Sequence, residues 1–260
     1  MQIILVFFLF PASFFLFFPA LHAGVEKNLS SLELAEKAFW NLNYRKADSI
    51  YTAELARSPG NAELYWKKAR TEVSIAESDD YDKKEARIRD YRLAEEHARK
   101  SISLDSTSSK GHAWLAASLG IMADKIGSKE KLKRANEVKR ELDIALRLNP
   151  NDETALSILG SYYKEAANIG WLQRFLGNTF VGKMPEGNIH LSEKAFRKAI
   201  LADPRIIRNY HELGLLLLEN DRKAEAVPLL KMALDKPVLF ASDRRRLEEI
   251  RQLLKTTSDE

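Results

Sequence analysis

From about residue 30 onward, apolar residues recur three and four positions apart, the spacing of one face of a helix. No strand-like alternation competes with it. Five apolar runs end alike, at an acid or small polar residue followed by a break. They are Ala53 to Pro59, Ser101 to Ser106, Ala145 to Pro150, Ala199 to Pro204 and Ala233 to Pro237. Proline has no N–H to continue a helix and biases the residue before it away from helix, so these breaks mark helix ends. They fall at Pro59, Ser106, Pro150, Pro204 and Pro237, which makes the successive units 47, 44, 54 and 33 residues long.

Upstream of each break, small residues recur in phase. One copy reads Leu156, Leu159-Gly160, Tyr163, then Phe196 and Ala199; another reads Tyr210, Leu213-Gly214, Leu217, then Ala226, Leu230 and Ala233. Paired helices about 8–10 Å apart tolerate only Gly, Ala or Ser where they approach most closely. Two helices per unit with this signature make a tetratricopeptide-type repeat of about 34 residues. The expected fold is all-α, a tetratricopeptide-like solenoid of about five helix pairs, over approximately 28–60, 61–107, 108–151, 152–205 and 206–238. A capping helix at 242–255 would cover the last apolar face. Such stacks are built to bind rather than to catalyse.

Against that unit, the middle three copies are long by about 13, 10 and 20 residues, each time between the first and second helix. In copies two and three the excess lengthens both helices by about two turns, with Ser128 as a helix start. The third insertion, residues 164–189, differs. An apolar stretch from Trp171 to Val181 precedes Gly182, Pro185 and Gly187, which predicts a short extra helix and then a loop.

Residues 1–25 hold no Lys, Arg, Asp or Glu, and Ile3 to Leu21 is almost wholly apolar. Residues 1–23 read as a secretory signal peptide or an uncleaved membrane anchor. The protein is then exported, periplasmic or secreted, or anchored facing the non-cytoplasmic side. With no cysteine, a lipid-modified cysteine and a disulfide framework are excluded. The +4 net charge is mild, and basic runs such as Lys131 to Arg134 lie among acids, the pattern of a solvated, salt-bridged helix face. No nucleic-acid partner is expected.

Catalytic chemistry is sparse. His22, His97, His112, His190 and His211 are scattered, and His211-Glu212 lacks the second histidine of a zinc helix. No phosphate-cradling loop, nucleophile elbow or cysteine metal site is present. Asp79-Asp80-Tyr81-Asp82 lacks the spacing of a calcium loop and reads as a solvated turn. Neither a cofactor nor a metal is expected, and the chain reads as no enzyme.

The concave surface of such a stack is lined by the first helix of each pair. The groove-facing positions are Trp66, Arg70 and Val73, then Lys110, Ala113 and Ala117, then Thr154, Ser157, Ser161 and Lys164, then Arg208, His211 and Leu215. This basic and polar mixture suits a peptide with acidic groups or a carboxylate terminus. Within the third insertion, Trp171, Gln173 and Arg174 either close a pocket, with donors for a carboxylate or phosphate, or anchor the extra helix.

Gly111-His112-Ala113-Trp114, Leu148-Asn149-Pro150-Asn151-Asp152, and Trp171-Leu172-Gln173-Arg174 followed by Pro185 and Ala195-Phe196-Arg197-Lys198-Ala199 resemble the regulator of microtubule dynamics family over roughly residues 30–255. The resemblance implies a tetratricopeptide-like binding or tethering protein, since animal members are associated with microtubules, mitochondria and organelle contact sites. It implies no enzymatic activity. For a bacterial exported protein, the helical scaffold carries over and tubulin binding does not. The expected function is a non-enzymatic scaffold that binds a protein or peptide partner in its groove. The alternative is a small-molecule or lipid carrier whose pocket is closed by the 164–189 insertion.

Overall fold

In a computed structural model, residues 29–78, 84–123, 128–168 and 187–258 are described. Among them the chain forms eleven α-helices and no strand. The pairs are α1 (Ser31–Trp40) with α2 (Tyr44–Arg57), α3 (Ala62–Ser78) with α4 (Lys84–Leu104), and α5 (Ser109–Ala123) with α6 (Ser128–Leu148). They continue with α7 (Glu153–Ala167) and α8 (Ile189–Ala202), then α9 (Ile207–Leu218) and α10 (Lys223–Leu234), and end with a single helix, α11 (Asp243–Ser258). This is the helical-repeat solenoid expected from the sequence.

Local chemistry sets the helix starts. Ser30 and Glu33 form a reciprocal capping box at α1. The side chains of Asn43, Asp152 and Asn188 accept backbone N–H groups at the starts of α2, α7 and α8. In copies two and three the described part of each insertion extends the helices on either side of it. Helices α3 and α4 run 17 and 21 residues where α1 and α2 run 10 and 14, so each gains about two turns. Helices α5 and α6 run 15 and 21. The two pairs without insertions turn tightly instead, through Leu42 and Asp221, which hold φ values of 61° and 58°. The Asp79–Asp82 turn lies outside the described residues, as does most of the 164–189 insertion.

Each helix packs on its pair-mate, and α3, α5, α7 and α9 lie side by side along the stack. Ala35, Ala47, Ala69, Ala98, Ala116, Ala145, Ala199 and Ala233 are fully buried. In the fourth pair a Cβ on Gly160 would stand 2.7 Å from the ring of Phe196, itself fully buried. The Ser192 hydroxyl donates to the Gly160 carbonyl at 2.8 Å, which locks the same approach. Leu247 and Ile250 of α11 join Ile207, Tyr210, Leu230 and Ala233, so α11 covers the last apolar face.

The stack curves until its ends meet. Residues 238–242 form a strap leading into α11, and Phe240 and Ala241 pack against the apolar cluster of the first pair. The Phe240 ring lies 6.3 Å from Phe39 and 6.1 Å from Trp40, both nearly edge-on. The Ala241 N–H donates to the Tyr44 hydroxyl at 3.0 Å, across 197 residues of chain. Asp243, fully buried, shapes the strap by accepting the N–H groups of Leu239 and Phe240.

Gly160→Ala is expected to lower unfolding free energy by ~1–3 kcal/mol, because the Phe196 ring has no room to withdraw. Gly120→Ala, whose added methyl meets nothing within 4 Å, is expected to raise it by up to about 1 kcal/mol through helix propensity. Urea denaturation of the two variants checks both signs. Tyr44→Phe leaves the Ala241 N–H without its acceptor. Faster amide hydrogen exchange confined to the strap is the expected outcome, at a cost of about 1 kcal/mol.

Candidate functional site

The closed stack surrounds a cavity of about 550 Å³. Its wall draws on almost every part of the ring. Trp40 and Tyr44 come from the first pair, Trp66, Arg70 and Val73 from α3, Tyr91 from α4, and Lys110, Trp114 and Ile121 from α5. Ser157 and Ile158 of α7, Arg208 and Glu212 of α9, Phe240 of the strap and Arg246 of α11 complete it. The ground is aromatic and aliphatic, with charges set into it. A cavity of this size, apolar with a few placed polar groups, is the usual form of a ligand site.

Most of the cations in the wall are already engaged. The Arg70 guanidinium lies 3.8 Å over the Phe39 ring and within 5.5 Å of Trp40 and Trp66, and it donates to Glu36 at 2.8 Å. It also donates to the Tyr51 hydroxyl, so one side chain ties α1, α2 and α3 together. Lys110 holds Glu153 at 2.6 Å, Arg205 holds Asp203 at 2.8 Å, and Arg246 holds Asp243 at 3.2 Å. Arg208 differs. Its terminal nitrogens donate to the Ser157 and Ser161 hydroxyls at 3.3 and 3.0 Å. It opens onto the cavity yet sits deep among protein groups, and this burial holds its pKa below the ordinary arginine value.

Of the groove positions read from sequence, Trp66, Arg70, Val73, Lys110, Ala117, Thr154, Ser157 and Arg208 line this cavity. Ser161 stands behind Arg208 as its hydrogen-bond acceptor. Lys164 and His211 are elsewhere. Lys164 pairs with Glu219 at 2.9 Å. His211 is buried under α11, its Nε2 3.2 Å from Glu249, and burial lowers its pKa. Helical phase placed it on the inner face, but the capping helix covers that end of α9. Trp171, Gln173 and Arg174 lie outside the described residues. Sequence reasoning did not single out Trp40, Tyr91, Phe240 and Arg246 for this wall. They stand outside the first-helix inner-face positions, or belong to segments that reach the cavity only when the ring closes.

The Gly111-His112-Ala113-Trp114 run has a packing rationale. His112 joins α5 to α6 through Glu141 at 2.6 Å and faces the Ser106 carbonyl at 3.1 Å. Burial works against its charged form, but Glu141 and that carbonyl outweigh it and raise its pKa. A Cβ on Gly111 would meet the Ser101 hydroxyl at 3.1 Å. Trp114 then reaches the cavity. Among the described residues no group of three or more His, Asp or Glu side chains stands together as metal ligands.

The Arg70 knot has a pH signature. Burial opposes ionisation of Glu36, but Arg70, the Tyr51 hydroxyl and Lys67 outweigh it and hold the carboxyl at about 2. A folded pKa below the unfolded value of about 4.3 stabilises the fold above roughly pH 5, and that contribution is lost as pH falls through 2. It amounts to at most about 3 kcal/mol. Glu36→Gln is expected to flatten stability against pH between about pH 5 and pH 2, read from urea midpoints at stepped pH. An unchanged slope would mean that Glu36 does not carry this charge.

In comparisons with known proteins, residues 31–258 match the family model for Regulator of microtubule dynamics protein 1-3. The chain is 28% identical over 200 residues to Regulator of microtubule dynamics protein 1 of Bos taurus, covering 76% of this chain and 63% of that one. It is 27% identical over 166 residues to the Caenorhabditis elegans protein of the same name, covering 64% of this chain and 71% of that one. The chain thus spans less than two thirds of the bovine relative's length. Among solved structures, the thermophilic TPR protein TTC0263 of Thermus thermophilus superposes with a TM-score of 0.61 at 16% identity, over 87% of this chain and 96% of that one, a likeness of fold alone. With the family model matched from the first helix to the last, the chain belongs to the regulator of microtubule dynamics family.

Proposed function

We propose that this protein is a non-enzymatic interaction scaffold that takes a protein or peptide partner on the concave face of its helical stack. The observation that carries the reading is the lining of the cavity. Eight helices and the strap converge there with Trp66, Trp114 and Ile158 as apolar ground. Most of the charged groups around them are held in place by partners, and among the described residues no acid, base and nucleophile converge. Aromatic anchors in a preorganised wall are what concentrates binding energy at protein interfaces. Membership of the regulator of microtubule dynamics family, together with a fold like that of a TPR protein, supports the same reading. We further propose that the apolar residues 1–23 direct export or anchor the chain in a membrane, so that the scaffold faces the non-cytoplasmic side.

The reading is tested by placing a photo-crosslinking residue at Ile158, in the wall, or at Leu201, which is 82% exposed on α8. Irradiation in cells is expected to yield one discrete adduct from position 158 and none of the same mass from position 201. Matching adducts from both positions, or none from position 158, would overturn a concave-face partner.

A further inference from the structure

Arg208 differs from four other cations of the cavity wall. Arg70, Lys110, Arg205 and Arg246 each hold a carboxylate. Arg208 is held by two neutral hydroxyls, and Ser161 in turn donates to the Ser157 carbonyl. The hydroxyls aim the guanidinium without neutralising it. Among the described residues no carboxylate stands within ion-pair reach of it; Glu212 and Glu77 act on it from farther off, and Arg246 repels it. A charge partly withdrawn from water and without a direct counter-charge is costly, so the site is electrostatically primed for an anion.

The chemistry of that anion can be narrowed. Two of five guanidinium N–H donors are used by the serines, which leaves donors on a planar fork that matches a carboxylate. The fields of Glu212 and Glu77 favour a single negative charge over two. The cavity onto which Arg208 opens also presents apolar ground from Trp66, Trp114 and Ile158. We infer that Arg208, oriented by Ser157 and Ser161, anchors an organic carboxylate whose aromatic or aliphatic body lies against these three side chains. The carboxylate has two sources, a free small acid or the C-terminal end of a peptide. In the second case the inference rests on the partner-binding reading above; in the first it stands without it.

The probes are 4-phenylbutyrate and its primary amide, and the acetylated tripeptide Ala-Leu-Phe as free acid and as amide. Each is titrated into the purified full-length protein by ligand-observed NMR. At least one acid is expected to bind roughly tenfold or more tighter than its amide, the worth of a charge-assisted hydrogen bond. Arg208→Met is expected to erase that preference while its melting temperature holds or rises, since an uncompensated charge is removed. Ser157→Ala with Ser161→Ala keeps the charge but frees the guanidinium, and is expected to weaken the preference several-fold; it also serves if Arg208→Met does not fold. Preference for the tripeptide acid alone assigns the source to a chain end, and preference for phenylbutyrate assigns it to a free acid. Equal binding of tripeptide acid and amide, with no preference for phenylbutyrate, overturns the anchor while leaving the peptide reading intact. Acid preference that survives in Arg208→Met, or no binding by either acid, overturns the inference.

Discussion

The Tyr44 hydroxyl and the Ala241 N–H meet at 3.0 Å from opposite ends of the chain, with Phe39, Trp40 and Phe240 packed around them. That contact turns a curved stack into a ring. Without it the inner faces of α3, α5, α7 and α9 would form an open groove in water. With it they share a cavity, where charges interact more strongly because less solvent screens them. The contact is small, and it forms only because every helix pair before it packs at the correct distance. An approach as tight as Gly160 against Phe196 sets the angle between successive helices, and such angles add up over the stack.

Charge inside the ring is of two kinds. Some of it is structural. Arg70 is stacked on Phe39 and tied to Glu36 and Tyr51, and it holds the first pair against α3. Lys110 joins α5 to the start of α7 through Asp152 and Glu153, while Asp152 also caps α7. Arg208 is of the other kind, fixed in place by Ser157 and Ser161 but not neutralised. Inward-facing cations therefore play different parts, according to whether a carboxylate lies within reach.

The fold was largely legible. Prolines and acids at the helix ends, together with small residues in phase, predict the pairs, because both features answer to local geometry and nearest-neighbour packing. The lengthened helices of copies two and three were legible for the same reason, since their extra residues keep the helical period. The site was legible in part. Trp66, Ser157 and Arg208 follow from helical phase alone. His211 has the right phase too, but the helix that covers it is more than thirty residues farther along the chain. Lys164 has the right phase and is drawn aside by Glu219 across 55 residues. No periodicity within one helix encodes such partners.

By itself, the sequence determined the helices, their pairing and the surface that faces inward. These depend on interactions between residues close in the chain or in adjacent repeats, where spacing translates directly into contact. The tertiary structure alone decided that the stack closes, that the strap and α11 contribute to the wall, and which inward charges find partners. Those outcomes sum small rotations over five helix pairs, and contacts between residues about two hundred positions apart are the product of that sum.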